Sequence, residues 1–532
     1  MGVNENPNFM KHLFISMVLL LLLVGCKEPI NNSKKASVHI PQKSEVGVLV
    51  MPKEIAPVTA PFPTIAFKRP DFPTDTIVVD LKTDGINTKI IQHAIDTQSA
   101  KGGGIVVISK GQWFTGRIAL KDNINLHFLE GATLSFSGEI EDYLPVVFTR
   151  TEGVEVMSLG ACIYANGVDN IAITGKGRLI GPAEGSIREK IVVSVNIDEV
   201  IDPKTPVKDR IIDGTTTPYV FPPMFISAIN STKVFIEDVS LENTAFWNIV
   251  PIYCDNVIIR GVSINSVNMP RGDGIDIESS KNVLIEYCNL STGDDCFTMK
   301  AGRGIDGMRV NKSTENIVVR YCLAENGHGG ITCGSETAGI IKNLYVHDCV
   351  FINSGVGIRF KTRRPRGGGG ENLTYERIRM DLKNDALKWD MLGSTNWVGK
   401  LAERLPARAV NELTPHYKNI KIKDLIIENA KNFIKVRSIP ESPLENVVIE
   451  NIEVNCKNFM NIHDMNNAVF KNINITSEDS LLTFLDSKNI RLLNVNSTNA
   501  THLDIQGSMS DSIFVESSLN IKDTIFRKNE GK

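Results

Sequence analysis

From about residue 170 onward the chain repeats one short pattern, an asparagine followed by alternating apolar residues. It reads "DNVIIRGVSI", "KNVLIEYCNL", "ENIVVRYCLA", "KNLYVHDCVF", "KNIKIKDLII" and "ENVVIENIEV". The marker asparagines are Asn256, Asn282, Asn316, Asn343, Asn419 and Asn446, mostly about 26 to 34 residues apart. Strand-like alternation at such a period predicts a repeat architecture, an all-β parallel solenoid. The phase is consistent: six residues after the markers stand Val262, Cys288, Cys322, Cys349, Leu425 and Ile452, and the same offset from Asn372 and Asn489 gives Ile378 and Val495. These form an expected interior column, in which the cysteines act as small buried residues rather than disulfide partners.

The start differs. "TDGINTKIIQHAID" predicts a short amphipathic helix capped by Asn87, with Ile90, Ile91, Ala94 and Ile95 as its apolar stripe. Such a helix would cover the open end of the solenoid. The glycine run in "KGGGIVVISKGQWFTG" lacks the Gly-Lys-Ser/Thr that opens a helix in a phosphate loop, so it reads as a turn. Longer non-repeating insertions near residues 183–215 and 384–416 could wall a groove.

Ahead of the repeats, residues 1–26 have the layout of an export signal: Leu13 to Val24 is apolar and too short to span a bilayer comfortably. Leu23-Val24-Gly25-Cys26 resembles a bacterial lipoprotein box, which implies acylation of Cys26 and an outer-membrane lipoprotein held by its lipid, on either face of that membrane. Residues 27–63, rich in Pro, Ser, Lys and Val, read as a flexible tether, leaving residues 64–525 as the folded domain. At 532 residues and 42% hydrophobic the chain can bury a large core. A formal charge of −3 argues against a general nucleic-acid binder, so a polyanionic ligand must meet a local basic cluster.

Polar residues recur shortly after the interior column. Asp273 follows Asn256, Asp294 and Asp295 follow Asn282, His328 follows Asn316, and Arg359 and Lys361 follow Asn343. Each has a plainer reading: Gly-Asp-Asp as a turn, "GHGG" as a loop, "KTRRPRG" as a solvated basic loop, Asp273 and Asp276 as structural. Their order and phase place them on successive coils, along a strip of roughly 15 Å at one strand spacing per coil. Crowded carboxylates have their pKa values pushed apart, which suits an acid and a base. Glycoside hydrolysis needs that pair, and the neighbouring cations would suit an acidic sugar.

Five motifs in order, "NTAFWNIVP", "GDGIDIESSKNV", "STGDDCFTMKAGR", "GHGGITCGSE" and "IRFKTRRPRGG", resemble those of glycoside hydrolase family 28, the polygalacturonase family. The resemblance implies a single-stranded right-handed parallel β-helix and an inverting hydrolase of α-linked galacturonic acid in pectic polysaccharide or its oligomers, with exo action among the options. It implies Asp294 as general acid, Asp273 and Asp295 on the attacking water, His328 tuning the acid, and Arg359 and Lys361 gripping a uronate carboxylate. It implies no cofactor or metal, and a monomer is expected. Inversion leads to an expected carboxylate separation of roughly 6.5–9.5 Å. Arg271-Gly272 replaces the family's Asn-Thr, so Arg271 is a further candidate for contacting uronate, and Thr244-Ala245 replaces Ser-Pro. The family's tyrosine after the Arg-x-Lys pair has no clear match; Trp389 or Trp397 could offer an aromatic platform or pack in the core. The alternatives are a calcium-dependent pectate-lyase-like enzyme and a non-catalytic glycan-binding solenoid.

Overall fold

The computed structural model describes residue 1 and residues 38–80, 85–183, 185–187, 197–516 and 519–527. Cys26 and its signal lie outside the described residues. The chain divides into Met1–His39 and Ile40–Lys532; only the second is discussed below.

Each coil of a right-handed parallel β-helix contributes strands to faces that pair in register with the coils before and after. The interior column is continuous: Cys349 pairs with Ile378, Ile378 with Leu425, Leu425 with Ile452, Ile452 with Ile473 and Ile473 with Val495. All are buried in one core with Val262, Cys288 and Cys322. Ile473 stands six residues after Asn467, a marker only 21 residues beyond Asn446 that the sequence period passes over. The eight described cysteines are buried and free, three of them, Cys288, Cys322 and Cys349, at the column positions.

The marker asparagines stand where the chain turns into each coil. Asn282, Asn316, Asn343, Asn372, Asn419 and Asn446 all have φ between 54° and 57°, a left-handed conformation that asparagine tolerates better than other side-chain-bearing residues. Their amides form a ladder: Asn316 Nδ2 donates to Asn282 Oδ1 (3.3 Å), Asn343 to Asn316 (3.0 Å), Asn372 to Asn343 (3.4 Å) and Asn419 to Asn372 (3.2 Å).

Helix α1, Thr88–Ala100, covers the first coils with Ile91, Ala94 and Ile95 buried. Two expectations there are corrected. Ile90 is exposed, because the buried stripe continues through Gln98, whose amide donates to Asp75 O and Gly103 O. Asn87 is the cap position, but its side chain donates to Gly85 O and Phe114 O instead of capping the helix.

The expected tether is also corrected at its C-terminal side. Val46 packs on Leu323 and Val350, and Ile55, Val58, Phe62, Ile65 and Phe67 lie on the outward side chains of Phe235, Ile258, Leu284, Val318 and Tyr345. Carbonyls of this strap accept from buried arginines, Pro52 O from Arg260 and Ala56 O from Arg320. The folded unit therefore begins near Ile40. Its prolines and lysines suggest a linker, yet the alternating valines, isoleucines and phenylalanines have an apolar sheet face to cover.

The functional face is built from five parallel strands: β1 (Ile275–Glu278), β2 (Phe297–Lys300), β3 (Gly329–Cys333), β4 (Val356–Lys361) and β5 (Asp385–Asp390). The second insertion thus begins with a regular strand and leaves the solenoid only after Asp390. If the asparagine ladder fixes the turns, Asn343→Ala loses its ladder bonds and meets the left-handed penalty, about 1–3 kcal/mol together. Asn343→Gly loses only the bonds, so thermal midpoints should fall in the order wild type, glycine, alanine.

Candidate active site

Asp294 and Asp295 lie in the bend leading into β2. Thr292 Oγ1 and the His328 backbone N–H both donate to Asp294 O, and Asp294 Oδ1 accepts from the Asp295 N–H. Gly293 is required for close approach rather than for its φ, since a Cβ there would sit 2.1 Å from Met269 O. Gly329, on the next coil, likewise leaves room for Asp295 Oδ1, which a Cβ would approach to 2.7 Å.

The bend treats the two carboxylates differently. Asp294 keeps 27% of its side chain exposed, whereas Asp295 has none. Asp295 Oδ1 accepts from Arg359 Nη1 at 3.0 Å and its Oδ2 from Lys361 Nζ at 2.6 Å. Arg359 and Lys361 alternate along β4 so that both point at the same buried anion. Asp273 lies beneath, its backbone carbonyl accepting from Asn248 Nδ2 and from the Asn248 N–H. One oxygen from each of Asp273, Asp294 and Asp295 lies within 4.8 Å of the other two.

Their nearest oxygens thus approach more closely than the 6.5–9.5 Å expected between the carboxyl groups of an inverting pair. The carboxylates sit on adjacent coils and their repulsion is offset by interleaved cations, so they come close to the strand spacing. Lys300, on β2, is the cation the sequence reading missed. Its Nζ lies 3.1 Å from Asp273 Oδ2 and 2.9 Å from Asp276 Oδ1, directly over the Trp247 ring at 3.3 Å. Four carboxylates, Asp273, Asp276, Asp294 and Asp295, thus face Lys300, Arg359, Lys361 and His328. Nothing in "FTMKAG" separates Lys300 from a lysine at a strand end; only the stacking reveals it.

The environments push these groups apart. Burial and the nearby Asp276, Asp294 and Asp295 drive Asp273 well up despite Lys300. Burial lifts Asp276 to about 6 against the pull of Lys300. Burial works against ionised Asp295 too, but Lys361 and Arg359 overcome it and hold that carboxyl well below the usual range. Asp294 is also buried enough to be pushed up, yet the His328 hydrogen bond and Lys361 bring it below its ordinary value. The same 3.1 Å contact, to His328 Nδ1, raises the imidazole. Both shifts favour the proton of this pair on His328.

Arg271 does not stand free over the groove. Its Nη1 lies 2.8 Å from Glu152 Oε1, and Arg303 Nη1 reaches the other oxygen at 3.1 Å. Glu152 sits at the tip of an antiparallel hairpin, Val147–Thr151 with Val154–Ser158, absent from the sequence reading because it interrupts the solenoid. Arg271 therefore braces the groove wall. Trp389 is fully buried and stacks on Phe360 at 4.5 Å, so it is core rather than platform. Tyr417 is buried as well, its hydroxyl donating to Lys361 O. Trp397 lies under Arg363, 5.6 Å from ring to guanidinium.

Residues 210–386 match the family model of glycosyl hydrolases family 28, spanning the three aspartates, the histidine and the Arg-x-Lys pair. The chain is a glycoside hydrolase similar to family 28 over that stretch. It is 25% identical over 77% of its length to an exo-poly-alpha-D-galacturonosidase of Dickeya chrysanthemi, of which 72% is covered. An endo-polygalacturonase of Pectobacterium carotovorum subsp. carotovorum is 27% identical, over 56% of this chain and 71% of that one. Among solved structures, a hyperthermoactive exopolygalacturonase from Thermotoga maritima superposes with a TM-score of 0.69 at 26% identity, covering 77% of this chain and 93% of that one.

The enzyme also buries Glu278 at the end of β1, 3.5 Å from Arg150 Nε. Burial raises its carboxyl from 4.5 to about 7. A carboxyl whose folded pKa is raised binds more protons folded than unfolded between those values, so stability falls as pH rises. Asp276 acts in the same direction between 3.8 and about 6. The thermal midpoint should accordingly decline from about pH 4 to 7 through these two groups. Glu278→Gln should flatten the upper part of that decline; an unchanged slope would sink the account.

Proposed function

We propose that the enzyme hydrolyses α-linked galacturonic acid bonds in pectic polysaccharide or its oligomers, inverting the anomeric centre and working from chain ends. The observation that carries this reading is the unequal exposure of three carboxylates within 4.8 Å of one another, beside two cations of one strand. Asp294 is open to the groove and touches the leaving oxygen. Asp295 cannot act as a nucleophile, since both its oxygens are ion-paired and covered. Asp273 and Asp295 instead bracket a water, and as a pair sharing negative charge they position it and take its proton.

Ionised Asp294 must gain a proton before it can act as acid. His328, hydrogen-bonded to it, supplies that proton from its imidazolium. A substrate carboxylate taking the free N–H groups of Arg359 and Lys361 adds negative charge beside Asp294 and diverts the cations that lower it. Both effects raise Asp294 and move the proton onto it. Substrate binding thereby arms the acid. The exo-acting relatives and the two insertions flanking the face support action at chain ends.

The lyase alternative requires calcium. The aspartate trio has enough oxygens for one, but Lys300, Arg359 and Lys361 already engage Asp273 and Asp295, and a divalent ion would have to displace them. Reducing ends should therefore appear from oligogalacturonides without near-ultraviolet absorbance and without loss to chelator. A chelator-sensitive, absorbing product would replace this proposal with β-elimination. The newly formed reducing end should show the inverted anomer by proton NMR.

Asp294→Asn, Asp273→Asn and Asp295→Asn should each lower kcat by about 10²–10⁴-fold. His328→Gln removes the proton reservoir, so the basic limb of the kcat/KM profile should move to lower pH. A limb that stays in place would assign the proton elsewhere.

The lipobox supports a further part of the proposal, that the enzyme is anchored to the outer membrane through acylated Cys26. Cys26→Ser should abolish fatty-acid labelling and release the protein from membranes.

A further inference from the structure

The loop that carries Asp273 is strained. Asn268 and Arg271 stand at φ 67° and 54°, in the left-handed region, a conformation that costs arginine more than asparagine. Close bonds fold the loop on itself: the Met269 N–H donates to Ser266 O at 3.1 Å and the Gly272 N–H to Met269 O at 2.9 Å. Ser266 Oγ donates to Gly272 O at 2.9 Å and accepts from Asn248 Nδ2 at 3.1 Å. The same loop is the floor of the Asp294–Asp295 bend, because Met269 O fills the space that Gly293 leaves. A shift of the loop therefore moves Asp273 against the other two aspartates.

Strained backbone keeps its place only where its surroundings hold it. Here the hold comes from outside the solenoid. Glu152, at the hairpin tip, has one oxygen 2.8 Å from Arg271 Nη1 and the other 3.1 Å from Arg303 Nη1. Arg271 stands two residues before Asp273, and Arg303 three after Lys300, whose ammonium lies 3.1 Å from Asp273. Ion pairs and short stretches of backbone thus close a ring through Glu152, Arg271, Asp273, Lys300 and Arg303. None of these five side chains is more than 14% exposed, so solvent screens the ring little. The hairpin is itself fastened to the coils. The Arg303 N–H donates to Gly153 O at 3.1 Å, Arg150 Nη1 to Ser279 Oγ at 2.8 Å, and the Glu155 N–H to Asp306 Oδ2 at 3.0 Å.

We propose that Glu152 is a positioning residue for the hydrolysis: through Arg271 and Arg303 it fixes Asp273 at its distance from Asp294 and Asp295. Arg271 then serves as the brace of the loop and not as a contact for uronate. Without the brace the loop relaxes toward an ordinary backbone and carries Asp273 away from the water it holds. Arg359 and Lys361, on a different coil, keep their places. The chemical step suffers and substrate binding does not.

This inference rests on the proposed galacturonan hydrolysis, and steady-state kinetics on oligogalacturonides separates the two. Glu152→Gln and Arg271→Gln should each lower kcat about tenfold to a hundredfold with KM kept within about twofold, as a small misplacement of a reacting group does. The double variant should be no slower than the slower single one, because both changes open the same contact. Arg271→Lys should recover part of kcat. Should Arg271→Gln fail to fold, Arg271→Asn, which tolerates the left-handed turn, takes its place. An unchanged kcat, a rise in KM alone, or losses that multiply in the double variant would overturn the brace and leave the proposed reaction standing. A rise in KM alone would make Arg271 the uronate contact instead. If the wild type cuts no galacturonide, the reaction itself fails, and the role of Glu152 with it.

Discussion

Asn282, Asn316, Asn343 and Asn372 hold hands across four coils, each amide donating to the oxygen of the coil before. A parallel sheet slipped by one residue turns every side chain to the opposite face. The ladder, with the left-handed turn that each asparagine adopts, makes such a slip costly at every coil. Everything in the active site depends on this register. Asp273, the Asp295–Lys300 segment and the Arg359–Lys361 pair come from separate turns of the helix, and a one-residue shift would turn the facing acids and cations away from one another.

With register fixed, electrostatics decides how closely the acids can gather. Lys300 is the contact that makes the cluster tolerable. It is buried, faces Asp273 and Asp276 together, and rests on the Trp247 ring, so its charge is held without access to water. Arg359 and Lys361 perform the same service for Asp295. The result is a graded set: Asp295 fixed as an anion, Asp273 driven toward its neutral form, and Asp294 balanced by His328. An acid and a base at neutral pH need such separation, and here it comes from which cation each coil presents.

The solenoid and its column were legible because alternation and the asparagine marker repeat in the sequence itself. The cluster of acids and cations was legible because its residues keep phase with that marker. What escaped was whatever has meaning only after the coils stack. Lys300 and Arg303 look like ordinary strand-end or loop residues until neighbouring turns cover them. Trp389 read as a platform candidate because a tryptophan beside an insertion has no visible partner, whereas Phe360 on the preceding strand stacks on it. The strap from Ile40 to Phe67 has a linker's composition, and only the apolar outer face of the sheet explains why it lies down. The carboxylate spacing was misjudged because a general rule for inverting sites does not count the cations that allow closer approach.

A cluster with as many cations as carboxylates has a further consequence for an acidic substrate. Arg359 and Lys361 cannot be both the structural counter-ions of Asp295 and fully free for a uronate; they must be shared. Each keeps donors unspent on Asp295, and Arg359 Nε is buried without a partner among the described residues. An incoming carboxylate therefore adds to the existing ion pairs instead of breaking them, and the added charge falls beside Asp294, the least stabilised anion that remains accessible. A neutral sugar would fill the same groove without delivering that charge, so Asp294 would stay ionised and the bond uncut. With Asp294 as the proposed acid, selection for acidic sugars operates on its protonation as well as on affinity, and a single carboxylate contact serves both.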